Sequence, residues 1–123
     1  MKKILIVEDD VDTLDLMETI LHGQGYAVIK VKREITIREI GGIHPDLVIL
    51  DFMLPFGPGT DICAAIKSNE MTKDIPVIMY SASSGIGELA GENGADAYLD
   101  KPFDVQELIE MVNRLVRKDR TPA

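Results

Sequence analysis

Apolar residues in this chain come in short unbroken runs, and each run stops abruptly at polar residues. Ile4-Leu5-Ile6-Val7 runs into Glu8, Asp9 and Asp10, and Leu47-Val48-Ile49-Leu50 runs into Asp51. Val77-Ile78-Met79-Tyr80 ends at Ser81, and Ala97-Tyr98-Leu99 ends at Asp100 and Lys101. A continuous run, rather than an alternation of apolar and polar positions, fits a strand covered on both faces. Open α/β sheets keep their ligand sites outside the carboxyl ends of such strands. If the four strands are parallel, their polar endings meet at one edge.

The segments between the runs predict helices. Leu14, Met17, Ile20 and Leu21 follow the helical period after Asp12 and stop at Gly23 and Gly25. Residues 26–31 then form a further strand. Residues 32–42 hold a helix by position, but Ile35, Thr36 and Ile37 are β-branched, so that helix is expected to be short or irregular. Beyond the loop Phe56-Gly57-Pro58-Gly59 a helix is expected over 61–67, followed by a polar connection through 69–75. Residues 83–94 are the weakest helical segment, since Gly85, Gly87 and Gly91 each cost about 1 kcal/mol against Ala in a helix interior. Asp104 with Glu107 forms a capping box for a last helix, whose inner face carries Val105, Leu108, Val112, Leu115 and Val116. Residues after Arg117 read as a basic, frayed end. Five strands alternating with five helices, without internal repeat or low-complexity linker, predict a doubly wound α/β domain.

The length of 123 residues allows one such domain with a core between two helical layers. A net charge of −8 and a pI near 4.6 argue against nonspecific binding to nucleic acid or to an anionic membrane. A cation or a basic partner surface suits that charge better. No apolar run is long enough to span a bilayer, and Met-Lys-Lys-Ile leads into a strand, so a cytoplasmic protein is expected. Cys63 is the single cysteine and lies in an apolar helical pattern, which reads as a small core residue rather than a reactive thiol.

Glu8, Asp9 and Asp51 would form an acidic cluster whose mutual repulsion calls for a cation. Oxygen ligands with open positions suit Mg²⁺, which keeps several waters and shares its coordination with phosphate. Scattered solvated carboxylates are the plain alternative, but acids, a hydroxyl and a lysine at four successive strand ends speak against it.

With Ile4-Leu5-Ile6-Val7-Glu8-Asp9, Asp51-Phe52-Met53-Leu54-Pro55 with Gly59, Ser81-Ala82 and Lys101-Pro102-Phe103, the chain resembles the receiver domain of bacterial two-component response regulators over nearly its whole length. The resemblance implies a flavodoxin-like five-stranded parallel sheet of order 2-1-3-4-5, with the receiver over residues 1–119 and a tail at 120–123. It further implies that Asp51 takes a phosphoryl group from a histidine kinase or a histidine phosphotransfer protein, with self-catalysed phosphorylation and dephosphorylation. Asp9 would bind Mg²⁺ directly, Glu8 through water, and the Met53 carbonyl would add a ligand. Ser81 would bond a phosphoryl oxygen and Lys101 would pair with it, the Lys101-Pro102 peptide being cis in the family. Tyr98 matches the aromatic switch position that answers to Ser81. The physical need is general: attack by a carboxylate on phosphorus requires the equatorial oxygens to be neutralised and an in-line approach.

Two departures stand out. The segment 81–94 is about two residues shorter than is usual and rich in glycine, and the second helix lacks the usual small-residue pattern. Partners implied are the phosphodonor, a downstream effector protein and a second copy of the chain, but neither nucleic acid directly nor a membrane. A haloacid-dehalogenase-type phosphatase would want a second Asp where Met53 stands, and a cap domain. An FMN-binding flavodoxin-like carrier would need a Ser/Thr/Gly-rich phosphate loop where Glu8-Asp9-Asp10 would repel the phosphate.

Overall fold

The computed structural model describes residues 1–81 and 94–119. The expected helix over 83–94, apart from Gly94, and the tail at 120–123 lie outside the described residues. Elements in chain order are β1 (Lys3–Val7), α1 (Val11–Gly23), β2 (Ala27–Val31), α2 (Ile37–Ile43), β3 (Leu47–Asp51), β4 (Met53–Leu54) and β5 (Gly57–Pro58). They continue with α3 (Gly59–Ser68), β6 (Val77–Ser81), β7 (Ala97–Asp100) and α4 (Val105–Asp119).

Five strands pair in parallel in the order β2-β1-β3-β6-β7. With the two-residue strands β4 and β5 set aside, this is the flavodoxin-like order 2-1-3-4-5. Side chains alternate across a strand, and each apolar run therefore feeds two cores. Ile4, Ile6, Leu47, Ile49, Ile78, Tyr80 and Leu99 pack with Leu14, Met17 and Leu21 of α1 and Leu108 and Val112 of α4. Leu5, Val7, Val48, Leu50, Val77 and Met79 pack on the other face with Ile40 of α2 and Cys63 and Ile66 of α3. Both faces are covered, which is why no polar alternation is present. Cys63 is buried, and burial pushes its thiol up to about 11, so it is a core residue as expected.

Several boundaries differ from expectation for local reasons. Helix α1 already begins at Val11, ahead of Asp12, because Asp10 caps it, its carboxylate accepting from the Thr13 amide at 3.1 Å. Helix α2 starts late because Thr36 and Glu39 form a reciprocal capping box, each side chain accepting from the other's amide at 3.1 Å. That Thr-x-x-Glu signal is in the sequence, but the β-branched run around it obscured it. Asp104 accepts from the Glu107 amide at 3.1 Å, as the cap predicts. Val105, expected on the inner face of α4, is exposed, and the inner face begins with Leu108. The same helix continues to Asp119 instead of fraying after Arg117. Among the described residues no helix is long and apolar enough to cross a membrane.

Candidate functional site

Parallel register brings the strand ends together. Leu50 pairs with Val7, Asp51 with Tyr80, and Ser81 with Asp100. The ladder continues past the strands through Glu8 N to Val31 O at 3.0 Å, Phe52 N to Tyr80 O at 2.9 Å and Lys101 N to Ser81 O at 2.9 Å. Residues two apart share a face, so Glu8 follows Ile6, Asp51 follows Ile49, Tyr80 follows Ile78 and Lys101 follows Leu99. All four side chains therefore lean to one side of the sheet, next to the point where the strand order reverses around β1 and β3.

A close approach of chain to chain sets Asp51 in place. A Cβ on Gly59 would lie 2.2 Å from the Asp51 carbonyl oxygen, and the Gly59 amide donates to Phe52 O at 2.8 Å. Only glycine permits this contact, which closes the β4–β5 turn against the end of β3. In that turn Gly57 has φ +142, a conformation that L side chains avoid.

Glu8, Asp9 and Asp51 each offer a carboxylate oxygen, and the three oxygens lie within 4.8 Å of one another. Glu8 and Asp51 are buried, while Asp9 is exposed. Lys101 Nζ lies 3.1 Å from Glu8 Oε1 and 3.4 Å from Asp51 Oδ2. Glu8 Oε1 also accepts from the Tyr80 hydroxyl, and Oε2 accepts from the amides of Asp9 at 2.8 Å and Asp10 at 3.2 Å. Asp51 Oδ1 accepts from the Met53 amide at 3.2 Å.

These partners separate the two buried carboxyls. Burial alone would raise Glu8, but hydrogen bonds with Tyr80, Asp51, the Asp10 amide and Lys101 outweigh it and hold the group down at about 2. Asp51 is pushed up to about 6, first by burial and then by Glu8 beside it, against weaker opposition from the Met53 amide and Lys101. A proton entering the pair therefore sits on Asp51. Burial would lower the Lys101 ammonium, yet Glu8 and Asp51 raise it overall. Burial, then Glu8, raises the Tyr80 hydroxyl far above the usual phenol range, so it remains a donor.

Ser81 is buried at the end of β6, and the Lys101-Pro102 peptide bond is cis. The side chain of Met53 is exposed just beyond Asp51, and that of Tyr98 is half exposed on β7. Asp10, which reads in the sequence as an extra acid beside the metal pair, serves the helix cap. Tyr80 was not foreseen as a site residue, because an aromatic in an apolar run reads as core. The donor set suits a hard cation: three carboxylates converge, two of them buried in a pocket whose one cation in contact is a lysine among the described residues.

Comparison with known proteins agrees with this fold. The family model for the response regulator receiver domain matches residues 4–113. The DNA-binding dual master transcriptional regulator RpaA of Synechocystis is 40% identical over 99% of this chain, which covers 52% of that protein. The chain thus spans about half the length of the curated relatives it matches. Among solved structures, the receiver domain of sensor histidine kinase PA1611 from Pseudomonas aeruginosa, with a magnesium ion coordinated in its active site cleft, superposes with TM-score 0.84 at 29% identity, covering 94% of this chain and 97% of that one. The signal receiver domain of a histidine kinase from Syntrophus aciditrophicus gives TM-score 0.84 at 30% identity, covering 100% and 96%. A five-stranded parallel sheet with carboxylates, a hydroxyl and a lysine gathered at its carboxyl edge, and a family match over most of its length, place this chain in the response regulator receiver domain family of two-component signalling.

Proposed function

We propose that this domain takes a phosphoryl group onto Asp51 from a histidine kinase or a histidine phosphotransfer protein in the cytoplasm, with Mg²⁺, and thereby changes which effector it binds. The observation that carries this reading is the meeting of Glu8, Asp9 and Asp51 within 4.8 Å, with Lys101 Nζ 3.4 Å from Asp51. Asp9 and Asp51 would hold the ion directly, Glu8 through water, and the Met53 carbonyl would complete the protein's share. When bound, Mg²⁺ supplies neutralisation of the anionic phosphoryl oxygens and a template for in-line approach.

The chain's own groups do the rest. An oxygen of Asp51 attacks phosphorus, the new P–O bond forms as the bond from phosphorus to the donor imidazole nitrogen breaks, and that nitrogen leaves with the bonding pair. In the metal-free pocket, burial and Glu8 hold the Asp51 carboxyl above the range of an ordinary aspartate. Lys101 moves its charge onto the incoming oxygens, and Ser81 donates to one of them. Loss of the group by hydrolysis reverses the charge change at the same site.

Added charge beside Ser81 and Lys101 gives the switch its trigger. The Lys101 amide already bonds the Ser81 carbonyl, so movement at Ser81 is passed to β7 and Tyr98. The receiver is assigned to residues 1–119 and the tail to 120–123. Incubation with a labelled small phosphodonor tests the reading. Label should enter in the presence of Mg²⁺ and not with a chelator, and uptake independent of the metal would contradict it.

A further inference from the structure

Phosphoryl transfer as described gives no task to the hydroxyl of Tyr80. Tyr80 is fully buried in β6, and its neighbours on the same face, Ile49 and Ile78, are aliphatic. Packing there does not require a hydroxyl. A buried phenol does require a partner, and this one donates to a carboxylate of the site, 72 positions away in sequence. The ring serves the same centre from its face, with Lys101 Nζ 4.6 Å from the ring centroid.

An ionised carboxylate has about four acceptor sites, and among the described residues two backbone amides, a hydroxyl and an ammonium donate to Glu8. Two backbone amides, of Asp9 and Asp10, fix Oε2; Tyr80 and Lys101 fix Oε1. The amides cannot be exchanged, and Lys101 is shared with Asp51. Tyr80 is thus the donor that lets Lys101 divide itself between the two acids. Without the hydroxyl, Oε1 loses the donor that holds it from inside the sheet, and the Glu8 carboxylate would be free to turn about its remaining contacts.

We propose that Tyr80 is a positioning residue of this site, its hydroxyl fixing Glu8 and its ring seating Lys101 in the arrangement that receives the divalent cation and the phosphoryl group. The inference rests on the reading of Asp51 as phosphoacceptor. Partners that orient a metal site's acids from behind change metal affinity by about 10–100-fold when removed, and Tyr80→Phe keeps the ring while deleting only the hydroxyl.

Calorimetric titration of the phosphate-free protein with Mg²⁺, well below its melting temperature, tests the proposal. Tyr26→Phe is the control, because the Tyr26 hydroxyl donates to Asn113 in the same core, remote from the acids. Tyr80→Phe should weaken Mg²⁺ about tenfold, and Tyr26→Phe should leave it unchanged. Equal affinities for wild type and Tyr80→Phe overturn the inference, as does an equal loss in both variants, which would mark the effect as general loosening. A wild type that binds no Mg²⁺ overturns the reading of the site itself. A second measurement does not depend on the folding of Tyr80→Phe. The chain has three tyrosines and no tryptophan, so Tyr26→Phe/Tyr98→Phe leaves Tyr80 as the sole near-ultraviolet chromophore of its kind. Mg²⁺ polarises the acceptor of its hydrogen bond and should shift that band to the blue; an unmoved band contradicts the proposal.

Discussion

A Cβ placed on Gly59 would stand 2.2 Å from the carbonyl oxygen of Asp51, and backbone at that distance has no flexible end that could turn aside. Gly59→Ala must therefore displace either the start of α3 or the end of β3. Overpacking of this kind costs about 1–3 kcal/mol. Urea unfolding should show that loss, and phosphoryl uptake should fall beyond what stability explains, because Asp51 moves with its carbonyl. A variant with wild-type stability would contradict the close approach.

The two buried acids predict a pH dependence with opposite signs. Asp51 binds its proton more tightly in the folded state, so its contribution is complete below about 3.8 and is lost as the pH rises through about 6. Glu8 is held low, so its contribution is present above about 4.5 and is lost as the pH falls towards about 2. The metal-free protein should be most stable near pH 4, between about 3.8 and 4.5, and should lose stability from there up to about 6. Asp51→Asn should remove the decline above that window and stabilise the metal-free protein at pH 7.5 by on the order of 2 kcal/mol. Thermal melts across pH in a chelator check this, and parallel curves for the two proteins would refute it.

Lys101 competes with any cation for Glu8 and Asp51, at 3.1 and 3.4 Å. Lys101→Met removes that competitor and keeps much of the side-chain bulk. Mg²⁺ should then bind several-fold more tightly, while phosphoryl uptake slows because the incoming oxygens lose their ammonium. Calorimetry and labelling rates measure the two effects separately, and weaker Mg²⁺ binding would count against the proximity argument.

Much of this was legible in the sequence because burial on both faces leaves a plain trace. Val48 and Leu50 go to one core and Leu47 and Ile49 to the other, so the run shows no alternation, and its shortness between turn signals fits a covered strand. The acids were legible because a carboxylate directly after such a run has nowhere to go but the sheet edge. Other features left weaker traces. Asp10 and Asp12 are equivalent as caps on paper, and only the backbone shows that Asp10 takes the Thr13 amide. Strands β4 and β5 pair through two residues each, too few for any period. The Tyr80 hydroxyl was hidden for a different reason: its partner is Glu8, and neither residue's pattern points to the other.

Charge added at Asp51 should be felt first along the backbone link from Ser81 to Lys101, a bond of 2.9 Å. Tyr98 is half exposed on β7 and has room to change its burial. Hydrogen exchange with and without beryllofluoride as a phosphoryl mimic should change in Ala97–Asp100 more than in Val11–Gly23. A response confined to α1 would move the output face to the other side of the domain.

The role of Asp51 is tested most directly by mass spectrometry of the intact chain and its peptides after incubation with Mg²⁺ and a small phosphodonor. One phosphoryl group should appear, on the peptide that contains Asp51, and Asp51→Asn should take up none. Equal labelling of wild type and Asp51→Asn, or a phosphoryl group on a different residue of the wild type, would contradict the account.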